Sequence, residues 1–217
     1  MSDISAPPPA GTLPTGAPGE FLPAVATGPD SFGYWGMWGL IGTEALLFGS
    51  LIVSYYYLRF VSPQHNWPPH GLPLPDLTLP LIMTVILWTS SLPVHLAHKA
   101  IKRGDVAGLR RGLLFGFVLG AAFLTLQFAK EWPDTLKLFT PHDDAYGSLF
   151  YTITGFHGFH VFVGLCISAF VQVRAWQGGF DRRRHQMVQN FAMYWHFVDA
   201  VWAVIVTLLY VVPNLRS

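Results

Sequence analysis

Five long apolar runs, separated by short polar or charged stretches, organise this chain. The first extends from about Phe32 to Phe60 and contains one internal charge, Glu44. The second extends from about Leu77 to His98, and the third from about Leu109 to Lys130. The fourth covers about Tyr146 to Arg174, and the fifth about Asn190 to Val212. A hydrocarbon core of ~30 Å needs roughly 20 helical residues, and each run is near or above that length. Backbone groups in lipid must find partners within their own segment, so the runs predict helices. A β-barrel would instead show short alternating segments. The pattern predicts an all-α fold, a polytopic transmembrane bundle of five helices.

The first thirty residues follow a different pattern. Seven prolines (Pro7, Pro8, Pro9, Pro14, Pro18, Pro23 and Pro29) alternate with Gly, Ala and Ser. Such a segment cannot build a packed core and reads as a disordered tail. It has no Lys or Arg, so it lacks the basic start of a secretory signal, and no cleavage is expected. The chain therefore divides into a tail, residues 1–30, and a membrane domain, residues 31–217.

Composition agrees with the runs. Hydrophobic residues make up 52% and charged residues only 12%, about half the charged share of a soluble domain. A net charge of +1 offers no basic face for nucleic acid. The single cysteine, Cys166, excludes an intrachain disulfide and reads as a small packing residue.

Where the charges fall gives an orientation. Nine of the thirteen Lys and Arg residues lie in two loops. Lys99, Lys102, Arg103, Arg110 and Arg111 flank the connection between runs two and three, and Arg174 and Arg182 to Arg184 that between runs four and five. The positive-inside rule places both loops in the cytoplasm. Five spans then put the N-terminus inside and the C-terminus outside. The Trp67-Pro68-Pro69 loop and the loop with Asp134, Asp143 and Asp144 also fall outside.

Ionisable side chains at membrane depth are costly and mark places where a protein interior or cavity receives them. Here they are Glu44, His157, His160, His196 and Asp199, with His95, His98 and Glu131 near span ends. The ~1.5 Å helical rise puts Glu44 about 18 Å from the inner end of its run, Asp199 about 14 Å and His196 about 9 Å. His160 and His157 lie about 21 and 25 Å in on the same scale. Glu44 and Asp199 could then share one polar patch, while His157 and His160 belong to the outer half. His196 is about 12 to 16 Å out of level with the other pair, so the three cannot share a haem. His157 and His160 share a helix face but have no third ligand at their depth, so no metal is expected. Their imidazoles are expected to hydrogen-bond across helices. Glu44 is either a proton-exchanging carboxyl or a hydrogen-bonded packing group.

Small residues recur in two stripes, Gly33, Gly36, Gly39 and Gly42 in run one and Gly112, Gly116 and Gly120 in run three. Such spacing allows close helix approach, within a bundle or at a subunit interface. Trp132, Tyr146, Tyr210 and Trp176 suit an interfacial aromatic belt.

Two segments resemble a known family. Run four reads DDAYGSLFYTITGFHGFHVFVGL, and run five reads FAMYWHFVDAVWAVIVTLLYVV. These are similar to the signature regions of subunit III of haem–copper oxidases. The resemblance extends through Thr43-Glu44, Trp67-Pro68-Pro69 and His98, covering about residues 32–213. It implies a short, five-helix form of a fold that has seven helices in other members, as in bacterial cytochrome c and quinol oxidases. It implies no cofactor bound by this chain, with haem and copper in partner subunits. The implied partners are subunit I directly, then subunit II and a small subunit IV, with structural phospholipid and the bacterial inner membrane around them. The implied role is non-catalytic: stabilising subunit I, holding lipid and supporting proton uptake during oxygen reduction to water. Glu44, His157, His160, His196, Asp199 and Trp202 match signature positions. The family often carries Gln-x-x-Glu at the outer end of the third run, whereas Gln127 and Glu131 here are four apart. A subunit-III-like accessory protein of a nitric oxide reductase, and a proton-coupled transporter working through Glu44, are the alternatives at this point.

Overall fold

The computed structural model describes residues 31–62, 67 and 74–215, so the Pro-rich tail, Pro68, Pro69 and Arg216 lie outside the described residues. Five helices among those residues are long and apolar enough to cross a membrane: α1 (Phe32–Val61), α2 (Thr78–Lys102), α3 (Val106–Thr135), α4 (Ala145–Trp176) and α5 (Gln186–Asn214). Most reach beyond the apolar runs, and polar side chains cap three of the five starts. Ser31 accepts a hydrogen bond from the Tyr34 amide (3.1 Å). Asp105 accepts from Gly108 (2.8 Å) and Asp144 from Gly147 (2.7 Å). A capping oxygen satisfies one of the amides that a helix start leaves unpaired.

The α2–α3 connection is the tightest. Gly104 takes φ +84°, the left-handed residue that lets a helix stop and turn. The two helices then run side by side: a Cβ on Gly112 would strike the Pro93 carbonyl and Ala97, and one on Gly116 would strike Val94. α4 and α5 complete the core against this hairpin, and α1 leans on α4 and α5 at the edge. Only Phe48 and Tyr55 of α1 are fully buried. Among the described residues the first glycine stripe makes little contact: Gly36, Gly39 and Gly42 face open space, and Gly33 approaches α5.

The starts of α1 and α5 meet at one end. Asn190 Nδ2 donates to the Gly33 carbonyl (3.1 Å), beside the basic α2–α3 and α4–α5 connections. Tyr55 and Tyr146 close the opposite, acidic end, donating to the Leu208 and Leu209 carbonyls at 3.3 and 3.4 Å. There Trp67, Phe139, Phe150 and Tyr210 join them in edge-to-face ring contacts. Tyr146 and Tyr210 are thus core residues rather than members of a lipid-facing belt. Trp176 does face outward, with the Arg110 guanidinium 4.8 Å from its ring centroid. Cys166 is exposed on α4, not packed inside.

The α4–α5 connection is held by Asp181. Its carboxyl accepts from the Arg184 and Arg183 amides (2.8 and 2.7 Å) and from the Arg184 guanidinium (3.0 Å). The Arg184 amide first, then the Arg183 amide and the guanidinium, hold this carboxyl below its usual range. A depressed folded-state value gives stability that is present above the unfolded carboxylate value of about 3.9 and is lost as pH falls through the lower folded value. Asp181→Asn should abolish that acid-range dependence and speed amide exchange at Arg183 and Arg184. Hydrogen–deuterium exchange of the native chain and the variant across the acid range checks this.

Candidate functional site: polar groups buried between the helices

Glu44 of α1 meets His160 of α4, with Oε2 2.9 Å from Nε2. The pair lies at the bundle edge, the carboxyl side chain 25% exposed and the imidazole 9%. Phe48 covers the imidazole edge-on at 5.0 Å. The other ring nitrogen, Nδ1, is 2.7 Å from the Phe156 carbonyl. A carbonyl only accepts, so Nδ1 carries a hydrogen and donates it. Nε2 of a neutral imidazole is then a lone pair, facing a carboxyl oxygen. One further proton is needed to make that contact a hydrogen bond, whether it resides on Oε2 or on Nε2. In either case the pair as a whole is uncharged. Glu44 and His160 are thus placed so that a single proton between them would complete the hydrogen bond.

The depths estimated from the sequence allow this pairing, since they differ by about 3 Å. The expectation that Glu44 and Asp199 share a patch is not met, because the helices turn the two acids to different partners. Asp199 of α5 receives the hydroxyl hydrogen of Ser91 on α2. Ser91 Oγ also lies 3.1 Å from His196 Nδ1. The His95 and His196 ring centroids are 6.1 Å apart on the same side. Nearer the basic end, His98 is half-buried with its ring centroid 6.2 Å from that of His185.

His157 behaves unlike its neighbour. It is fully buried, and among the described residues neither ring nitrogen has a hydrogen-bond partner, so the expected cross-helix hydrogen bond is not found there. Its ring instead stacks on Trp202, centroids 5.0 Å apart at 29°, with Phe123 edge-on at 5.8 Å. Trp202 Nε1 donates to Thr84 Oγ1 on α2 at 3.0 Å. The imidazole is a wedge between three helices.

Gln127 and Glu131 lie in a π-turn, Gln127–Glu131, closed by the Trp132 amide on the Gln127 carbonyl. A π-turn closes i→i+5 and absorbs one extra residue. The four-residue spacing therefore still points both side chains inward, and both are buried. Gln127 Nε2 donates to the Thr154 carbonyl (2.9 Å). Glu131 Oε1 accepts from Tyr210 (2.5 Å), which itself sits in a second π-turn, Thr207–Val211, of α5. Two irregular turns thus face each other, joined by one carboxyl–phenol bond.

Ser91, Thr84, Phe156 and Tyr210 are the partners that the sequence reading did not identify. The first two had a signal, since polar residues inside a span seek partners at their own level. Among the described residues no group of three or more His, Cys, Asp or Glu side chains converges as a metal site.

Residues 19–213 match the family described as Cytochrome c oxidase subunit III. The chain is 36% identical over 187 residues to "Cytochrome c oxidase subunit 3" of Thermostichus vulcanus, covering 86% of this chain and 90% of that protein. Its likeness to the protein of that name from a Synechocystis strain is 37% over 168 residues, covering 77% and 70%. For the Rattus norvegicus protein the figure is 34% over 181 residues, covering 81% and 68%.

Proposed function

Because the chain belongs to the cytochrome c oxidase subunit III family, we propose that it is the redox-silent membrane partner of a haem-bearing subunit, with the Glu44–His160 dyad as its proton-holding element. Membership makes it a multi-pass subunit of a larger haem–copper oxidase complex. In our reading it packs directly on the haem–copper subunit I, with subunit II and a small subunit IV completing the assembly. Its basic connections face the cytoplasm of a bacterial inner membrane, as the charge distribution favours. The exposed apolar surfaces of α1 and α4 suit structural phospholipid.

The observation that carries the functional part is the Phe156 carbonyl on His160 Nδ1. It fixes the imidazole so that the contact with Glu44 must hold a proton. A carboxyl that only packed would not need an oriented base at 2.9 Å. Retaining one proton without net charge keeps the cost of burial low, since an isolated charge at a span centre costs about 2.5–3.5 kcal/mol.

The assignment is tested by capturing this chain through an affinity tag from solubilised membranes and recording the optical spectrum of what accompanies it. Haem is expected in the captured material, held in other polypeptides. Capture of this chain free of haem at every detergent concentration would overturn the proposal.

A further inference from the structure

We infer that the α2–α5 face around His95 and His196 is the surface against which a membrane helix of a partner subunit packs, and that this helix contributes an uncharged hydrogen-bond donor to His196 Nε2. The inference rests on the reading of the chain as a complex subunit and adds which face is used and what chemistry it meets.

Depth and exposure coincide here. His196 lies about 9 Å inside its apolar run, and His95 sits beside it nearer the end of its own run. Both are nevertheless exposed, the His196 side chain 44%. An imidazole at the depth of His196 cannot be left against acyl chains without cost. The side chain is also too short to reach the interface as a Lys or Arg would. A lipid head group is a poor occupant, because it would have to descend about 9 Å below the end of the apolar run. Another protein segment meets no such limit.

Hydrogen-bond accounting specifies what that segment offers. Ser91 has one hydroxyl hydrogen and gives it to Asp199. The Ser91 oxygen can then only accept from His196, so His196 Nδ1 is the N–H donor of the 3.1 Å contact. In the neutral imidazole, Nε2 is left as an acceptor. No hydrogen bond within the described residues reaches it. Asp199 and Ser91 thus aim one acceptor outward, and the complementary group is an O–H or N–H. Lys99, one turn from His95 toward the basic end, disfavours a second cation. A hydroxyl, amide or indole donor remains. Trp88, Leu92 and Leu96 are exposed at four-residue intervals on α2, an apolar stripe of helical period beside the imidazoles.

The test uses the assembled complex with a photo-reactive benzoylphenylalanine at Leu92, an exposed position outside the hydrogen-bonded groups. Val118 on α3 and Phe159 on α4, also exposed, are comparison sites. Irradiation is expected to join position 92 to another oxidase subunit, through a membrane span that carries an uncharged donor. Adducts confined to lipid, to a second copy, or to a span without such a donor would overturn the inference. A chain that arrives without haem would instead defeat the proposed role in a haem-bearing complex. As a second arm, His196→Leu should weaken retention of the haem-bearing subunit about tenfold, within the range of interhelical polar contacts. His196→Gln keeps an acceptor and should restore it; equal retention by the two variants counts against the inference.

Discussion

Trp195→Ala should destabilise the bundle by about 3–5 kcal/mol, the range for emptying a large core position. The indole is 1% exposed and touches every helix except α1 in a different way. Gly120 of α3 and Gly164 of α4 give way to it: a Cβ on either would come within 2.6 and 2.8 Å of its ring. Its Nε1 donates to Ser90 of α2 at 3.0 Å. Inside a membrane, separated helices are still surrounded by apolar chains, so little of this loss is transfer from water. It is mostly lost dispersion contact, because the helices cannot close a gap of indole size. The hydrogen bond alone is a small part. Ser90→Ala should cost only about 0.6 kcal/mol, the average for such bonds between membrane helices. Equilibrium unfolding in mixed micelles measures both. A Trp195→Ala loss no larger than that of Ser90→Ala would mean that the core is not built around this ring. Gly164→Val should fall near Trp195→Ala, since it displaces the same indole from the other side.

The same ring shows what could be read in advance and what could not. The four-residue glycine stripe of α3 announced a close helix contact, and Gly112, Gly116 and Gly120 make one. The three-residue stripe of α1 announced a contact within the bundle or at a subunit interface, and among the described residues Gly36, Gly39 and Gly42 face open space. Periodicity identifies a smooth helix face but not what covers it. Depth had the same strength and the same gap. Counting residues placed Glu44 within about 3 Å of the level of His160. It could not choose between His160 and Asp199, because that depends on how each helix is rotated about its axis. Rotation is set by partners far apart in sequence, such as Phe48 of α1 on the His160 ring and Tyr194 of α5, whose hydroxyl donates to the His160 carbonyl (3.1 Å). The π-turns escaped for a related reason. Nothing in the run Gln127 to Glu131 signals an i→i+5 closure, and only the inward position of both polar ends reveals it. Family resemblance carried the assignment of the chain; it did not supply these contacts.

The dyad yields the second large effect, and two substitutions separate its two possible meanings. His160→Leu removes the base and leaves Glu44 at membrane depth with no partner in the chain. Its expected cost is about 2.5–3.5 kcal/mol if the carboxyl is charged, read as lower yield of the assembled complex and easier unfolding. Glu44→Gln is much milder for the fold. Its amide N–H can still donate to His160 Nε2, and His160 Nδ1 stays on the Phe156 carbonyl. Stability should change by about 0.6 kcal/mol or less, and the haem spectrum of the complex should be unaltered. What Glu44→Gln removes is the exchangeable proton, because an amide neither gains nor releases one in this range. A proton-holding dyad therefore predicts slower proton uptake by the complex during turnover, visible with a pH indicator in stopped flow, with electron input unchanged. If Glu44→Gln takes up protons at the native rate while His160→Leu still fails to assemble, the contact is a clasp between α1 and α4. The geometry makes the first result the expected one: Phe156 orients the imidazole so that its free nitrogen meets the carboxyl across a single shared proton.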